Sequence, residues 1–260
     1  MYKKISTFVK TACKPSNMNP FFKAFWLLYL IFIYLPIGII ATILCAIITI
    51  VMCAVGDHKV WGYYPGKWWA RFICLLTFCR VEVVGSENLK KGQSYVFAAN
   101  HASIYDVFLI YGYIGVSFKW IMKKELQTVP FIGKACMSAG HIYVNRDGGK
   151  QALQSIQRAK EILSEGVSVV VFPEGFRTKN GEVGRFKRGA FEISKDMQLP
   201  IVPISLSGCY QVMKVGSSYP VPGKLKLRIH PPVDFKPQNH EEELQLIENI
   251  RNIIISGIES

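Results

Sequence analysis

A charge-free stretch near the start constrains this chain more than any other feature. From Ala24 to Gly56 no residue is charged, and Leu, Ile, Phe, Ala and Val fill most of the run. As one straight helix it would be about 50 Å long, well beyond a hydrocarbon core of ~30 Å. Pro36, followed by Gly38, divides it into a shorter aromatic half and a longer Ile-rich half. Two paths fit this pattern: one tilted span with an interfacial extension, or a bent hairpin that enters and leaves by the same face. Lysines 3, 4, 10, 14 and 23 precede the run without any acid, and Lys59, Lys67, Arg71 and Arg80 follow it against the single Asp57. Basic residues at both ends favour the hairpin over a single span. Trp61, Tyr63, Tyr64, Trp68 and Trp69 among these cations read as an interfacial belt. A cleaved signal peptide fits poorly, because the run is too long and no small-x-small cleavage pattern precedes charged sequence. Residues 1–79 are therefore expected to be a permanent membrane anchor with its collar, and residues 80–260 a separate body.

Composition narrows what that body can be. Of the 260 residues 50% are hydrophobic and only 19% charged, which excludes a disordered chain. Lys plus Arg number 31 against 18 acids, a net +13 that points to anionic partners: nucleic acid, phospholipid head groups or phosphorylated substrates. Cysteines 13, 45, 53, 74, 79, 136 and 209 are scattered and form no C-x-x-C pair. Such a set reads as reduced thiols facing a cytosol, and no metal site is expected.

Beyond Arg80, β-branched and aromatic runs alternate with helical patterns. Strands are predicted at 81–84, 94–99, 117–122, 141–145, 167–172, 201–206 and 225–230. Helices are predicted at about 103–114, 130–139, 148–165 and 188–197, with a closing helix at 239–256. This alternation implies an α/β fold: a mixed, largely parallel sheet flanked by helices, preceded by the helical membrane anchor.

Four segments can carry chemistry. Asn100-His101-Ala102-Ser103-Ile104-Tyr105-Asp106 follows an apolar strand, where α/β proteins expose reactive groups. If His101 lies in the turn and Asp106 in the first helical turn, the carboxylate can fold back onto the imidazole and orient it as a base. The plainer alternative is a capping histidine beside a helix-starting acid. Val171-Phe172-Pro173-Glu174-Gly175-Phe176-Arg177-Thr178 also follows a strand, and offers turn N–H groups, a carboxylate and a guanidinium fork for phosphate. Its alternative is a charged turn with a local Glu174–Arg177 pair. Gly140-His141-Ile142-Tyr143-Val144-Asn145-Arg146 delivers Arg146 at a strand end, and Leu199-Pro200-Ile201-Val202-Pro203 is an apolar strand bracketed by prolines.

In order and spacing these segments resemble the glycerolipid acyltransferase family typified by 1-acyl-glycerol-3-phosphate acyltransferase. That family shows H-x4-D, G-x5-R, F-P-E-G-x-R and a Pro-bracketed strand, here His101/Asp106, Gly140/Arg146, Phe172–Arg177 and Leu199–Pro203. Lys123-Lys124-Glu125-Leu126, Pro130-Phe131-Ile132-Gly133 and Phe186-Lys187-Arg188-Gly189-Ala190 are similar to the family as well. Phe176 departs from it where Thr is usual, and Thr178 replaces the usual Ser. The resemblance implies transfer of a fatty acyl group from a thioester to the free hydroxyl of lysophosphatidic acid, giving phosphatidic acid. It implies His101 as general base oriented by Asp106, and a phosphate site drawn from Lys123, Arg146, Glu174, Gly175 and Arg177. No cofactor or metal is implied beyond acyl carrier protein or coenzyme A as the thioester co-substrate. The expected place of work is the cytosolic face of the cell membrane.

Alternatives differ by class. Within the family the acceptor could be glycerol-3-phosphate or another lysolipid. A lipid hydrolase is disfavoured by the absence of a G-x-S-x-G elbow. A nucleic-acid binder is disfavoured because the basic residues are dispersed, without an RNP-like or helix-turn-helix pattern. His58, His141, His230 and His240 read as surface or packing residues, and Arg185, Lys187 and Arg188 as a solvated face.

Overall fold

The computed structural model describes residues 19–144, Gln157 and 167–259. Arg146 and nearly all of the predicted helix 148–165 lie outside these. All seven predicted strands form: β1 (Arg80–Val84), β2 (Val96–Ala99), β3 (Phe118–Lys123), β4 (Ile142–Val144), β5 (Ser168–Val171), β6 (Ile201–Ser207) and β7 (Lys224–Ile229). They make one sheet in the order β1-β7-β6-β2-β5-β3-β4. From β6 to β4 every pairing is parallel, β7 runs antiparallel to β6, and β1 follows β7 in parallel. The expected mixed, mostly parallel α/β sheet is thus what the chain builds.

Among the described residues the helices are α1 (Pro20–Tyr29), α2 (Leu35–Val55), α3 (His58–Trp61), α4 (Tyr64–Leu76), α5 (Tyr105–Tyr113), α6 (Ile132–Ser138), α7 (Glu192–Met197), α8 (Cys209–Val212) and α9 (His240–Ser256). Local signals explain where the terminal ones start. Asn19 caps α1 by accepting from the Phe21 N–H, and Asn239 caps α9 by accepting from the Glu242 N–H at 2.9 Å. Glu241, Glu242 and Glu243 in the first turn of α9 suit the positive end of its dipole.

Both faces of the central strands are covered, which is why they read as continuous apolar runs. Tyr95, Phe97 and Ala99 face one core with Leu109 and Ile110 of α5, while Val96 and Ala98 face the other with Phe191, the residue before α7, and Ile250 and Ile254 of α9. Ala70, Ile73 and Cys74 of α4 belong to the first core.

The charge-free stretch folds as a continuous 36-residue helix, Pro20–Val55. Pro36 does not turn it into a hairpin. Lacking an N–H and crowding the carbonyl one turn back, Pro36 is accommodated by a π-helical turn at Leu30–Tyr34 between α1 and α2. The reversal comes later, between Gly56 and Tyr63, and sends α4 back antiparallel along the long helix. Tyr29 Oη donates to Leu76 O, Gly38 lies against Ile73, and Trp69 Nε1 donates to Thr42 Oγ1, so one number rises as the other falls. Trp26 Nε1 donates to Pro220 O at 2.9 Å, tying α1 to the body. The inner face of α2 carries small residues, Gly38, Thr42, Ala46 and Thr49, with Ala46 and Thr49 buried. Its outer face, including Ile40, Leu44, Ile48 and Val51, is exposed.

Filling the docked face should therefore cost stability. Ala46→Leu is expected to destabilise the protein by about 1–3 kcal/mol through overpacking, whereas Leu44→Ala on the outer face should leave the thermal midpoint in detergent nearly unchanged.

Candidate active site

β2 ends at Ala99, and the chain turns sharply into α5. Asn100 makes that exit rigid: its side chain donates to Leu206 O and accepts from Leu206 N at 2.8 Å, clamping the turn to β6. His101 follows, with its side chain 16% exposed, and Asp106 in the first turn of α5 is fully buried. Asp106 Oδ2 lies 2.9 Å from His101 Nδ1. The same oxygen accepts from the backbone N–H groups of Ala102 and Ser103, each at 2.7 Å. Since a carboxylate only accepts, Nδ1 carries the ring proton and the lone pair sits on Nε2, on the far side of the imidazole. The five-residue separation therefore works as expected: the acid folds back across the turn. The buried Cys209 thiol at the start of α8 lies beside this carboxylate, and burial followed by the Asp106 charge pushes its pKa well up, keeping it a neutral thiol.

β5 leads into the second segment next door. Gly175 N donates to Phe172 O, closing a turn whose glycine has φ +81°, a conformation suited to glycine. The Glu174 side chain points inward. Its Oε1 accepts from the His101 N–H and its Oε2 from the Gly184 N–H, both at 2.7 Å. Burial pushes the Glu174 carboxyl up, against the pull of these two donors. Thr178 N donates to His101 O, so the two motif loops are joined through the main chain as well. Phe172 stacks on the imidazole with ring centroids 3.9 Å apart and planes 11° from parallel, and its ring in turn stacks on Trp120 of β3.

Arg177 is exposed one residue before the Thr178 anchor, and Lys123 is exposed at the end of β3. β2, β5 and β3 run parallel side by side, so Lys123 emerges at the same sheet edge as His101 and Glu174. The structure thus brings His101, Asp106, Glu174 and Gly175 into one cluster with Arg177 beside it and Lys123 two strands away. In the basic cluster, Arg188 is not simply solvated. It pairs with the buried carboxylate of Glu243, which Lys195 also approaches. Of the other histidines, His141 is buried, and burial followed by the nearby Lys119 holds it at about 3, as a neutral packing residue.

Two residues of this site were not singled out by sequence: Phe172 as the plate under the imidazole, and Asn100 as the clamp. A polar residue ending an apolar strand hints at Asn100. Phe172 opens the F-P-E-G-x-R pattern, but no spacing rule joins that pattern to the His101 ring across the chain.

This constellation and fold define an acyltransferase, and the chain belongs to that family. The Acyltransferase family model matches residues 80–207. The chain is 31% identical over 214 residues to the mouse (Mus musculus) 1-acyl-sn-glycerol-3-phosphate acyltransferase alpha, covering 81% of this chain and 75% of that protein. It is 32% identical over 209 residues to the chloroplastic 1-acyl-sn-glycerol-3-phosphate acyltransferase LPAT1 of Arabidopsis thaliana, covering 78% of this chain. The chain spans 58% of that plant protein and 51% of the chloroplastic relative from Brassica napus. Among solved structures, the 1-acyl-sn-glycerophosphate acyltransferase PlsC of Thermotoga maritima superposes with a TM-score of 0.66 at 26% identity, over 84% of this chain and 96% of that one.

Two buried N–H groups depend on Asp106, so its removal should be felt in stability as well as in chemistry. Asp106→Ala is expected to cost about 2–5 kcal/mol. His101→Ala, a partly exposed site, should cost roughly 1 kcal/mol or less. Unfolding of both variants in detergent checks the difference, and equal losses would contradict it.

Proposed function

We propose that this protein is a membrane-bound O-acyltransferase that acylates the sn-2 hydroxyl of 1-acyl-glycerol-3-phosphate, lysophosphatidic acid, to give phosphatidic acid. The observation that carries the reading is the His101–Asp106 pair: a partly exposed imidazole whose Nδ1 is fixed by a buried carboxylate, leaving Nε2 to take a proton. An alcohol is a weak nucleophile until a base removes its proton during attack, a contribution of about 10²–10⁴ in rate. His101 Nε2 takes the hydroxyl proton as the oxygen attacks the thioester carbonyl. The tetrahedral intermediate collapses with C–S cleavage, and the imidazolium returns the proton to the leaving thiolate. Phosphatidic acid and a free thiol result, with no acyl-enzyme. Asp106 balances the transient imidazolium, and the stacked Phe172 face suits the same cation.

The N–H groups of His101, Ala102 and Ser103 are committed to the two carboxylates. Donors for the developing oxyanion are therefore sought on the Gly175 side of the site, where one such donor is worth roughly 10²–10³ in rate. Arg177, Lys123 and Arg146 are the proposed cations for the substrate phosphate. Gly175 shapes their turn, and Glu174 serves that site by bracing the loop from within, since both its oxygens hold backbone N–H groups.

Membrane association rests on the outward faces. The long helix exposes its Ile and Leu side chains, and α4 exposes Tyr64, Trp68, Phe72 and Leu75 along one stripe. Lys67 and Arg71 lie against the Tyr64 and Trp68 rings, the arrangement of a headgroup-level collar. With α2 and α4 antiparallel and both docked on the body, the pair enters from one face, with the catalytic face toward the cytosol of the cell membrane. There acyl carrier protein or coenzyme A delivers the acyl group, both acidic partners for a +13 chain.

Purified protein in detergent, offered lysophosphatidic acid, glycerol-3-phosphate or lysophosphatidylcholine with each thioester, tests the reading. Phosphatidic acid from the first acceptor is expected, and preference for another acceptor would contradict it. Arg177→Ala should raise the acceptor KM by about tenfold and the donor KM far less. The reverse pattern would move Arg177 to the donor site.

A further inference from the structure

The segment that leaves β3 at the catalytic edge carries an apolar display that the reaction does not use. Leu126, Phe131 and Met137 are exposed by 41%, 50% and 51%. Phe131 is held there by a strained backbone. Its φ of +61° and ψ of −51°, with the Ile132 N–H donating to Pro130 O at 2.7 Å, form the rare positive-φ γ-turn. A bulky aromatic avoids this region unless its surroundings enforce it. Enforcement is visible: Gly133 presses its backbone against Gln127, Gly133 N donates to Val129 O, and Tyr143 Oη donates to Gly133 O at 3.2 Å. The fold thus maintains a strained turn whose product is an aromatic ring pointing outward.

We propose that this turn is a second bilayer contact, a foot that seats the catalytic edge on anionic lipid independently of the α2/α4 pair. Two observations select a lipid surface as the occupant. The first is continuity, since α6 packs along α2, whose outer face is the apolar one. The second is charge: Lys123, Lys124 and Lys134, all exposed, share the 123–137 segment with the display, against one acid, Glu125. An apolar tip flanked along the chain by lysines fits the headgroup–acyl boundary of an anionic leaflet. The proposal rests on the membrane reading above and adds to it. Because Lys123 ends β3 at the edge that holds His101, a foot at Phe131 would set the height of the catalytic edge above the lipid from which its acceptor comes.

The test uses the full chain with benzoylphenylalanine replacing Phe131, bound to vesicles of phosphatidylcholine and phosphatidylglycerol and irradiated. A second preparation carries the probe at Lys91, an exposed turn position ahead of β2, at the opposite end of that strand from His101. Lipid adducts at position 131 and none at 91 are expected, with phosphatidylglycerol enriched among them over its share of the vesicle. A cross-linked dimer from position 131 would assign the patch to a second copy of the chain, and probe quenched only by water would leave it solvated. Either result overturns the foot. Flotation of the unmodified protein with the same vesicles keeps the two readings apart. If it does not float, membrane association itself fails; if it floats while position 131 captures no lipid, only the foot fails.

Discussion

One carboxylate oxygen organises the catalytic edge. Asp106 Oδ2 accepts from the His101 ring and from the N–H groups of Ala102 and Ser103, and it does so fully buried. Buried charges persist only when their hydrogen-bonding needs are met by fixed donors. Here the donors to Oδ2 are the turn and the ring, so the interaction that solvates this oxygen also shapes the turn that presents the imidazole. Glu174 repeats the device from the neighbouring strand by holding the His101 and Gly184 N–H groups. Two buried acids thus fix one histidine from two directions, and Phe172 fixes the plane of its ring. The imidazole is held in place by groups already fixed in the fold, and in the proposed reaction it would act as a preorganised base.

The same architecture joins the exposed apolar helix to the site. β2, β5 and β3 run parallel, so their ends open on one edge, where the histidine, the Glu174 turn and Lys123 all emerge. α4 contributes to the core beneath β2 and packs on α5, the helix whose first turn holds Asp106. The long N-terminal helix lies on α4 through small residues that allow close approach. A rigid path of packed side chains therefore joins the exposed apolar helix faces to the site, and it gives the collar of aromatic and basic residues a fixed position relative to His101.

Much of this was legible in the sequence, for physical reasons. Strands buried on both faces leave continuous apolar runs, so the strands expected at 94–99, 167–172 and 201–206 are readable from the chain itself. His101 and Asp106 are close in the chain, and their spacing across a strand–helix turn allowed only a few geometries. The rest depended on contacts between distant segments. Glu174 reads as a phosphate-turn or Arg177-pairing residue when only its neighbours are considered; its partners, the His101 and Gly184 N–H groups, are brought to it by the strand order. Pro36 reads as a hairpin breaker because proline interrupts helical hydrogen bonding, yet a π-helical turn absorbs it and the chain reverses after Gly56 instead. The inner stripe Gly38, Thr42, Ala46 and Thr49 has no hydrophobic contrast to announce it, because every residue around it is apolar too.

The account stands on Nε2 of His101 as the group that takes the acceptor's proton. Single-turnover acyl transfer to lysophosphatidic acid by His101→Ala, in protein shown to be folded and vesicle-bound, tests that most directly. Loss of about 10²-fold or more is predicted; a rate within a few-fold of the unmodified protein would contradict it.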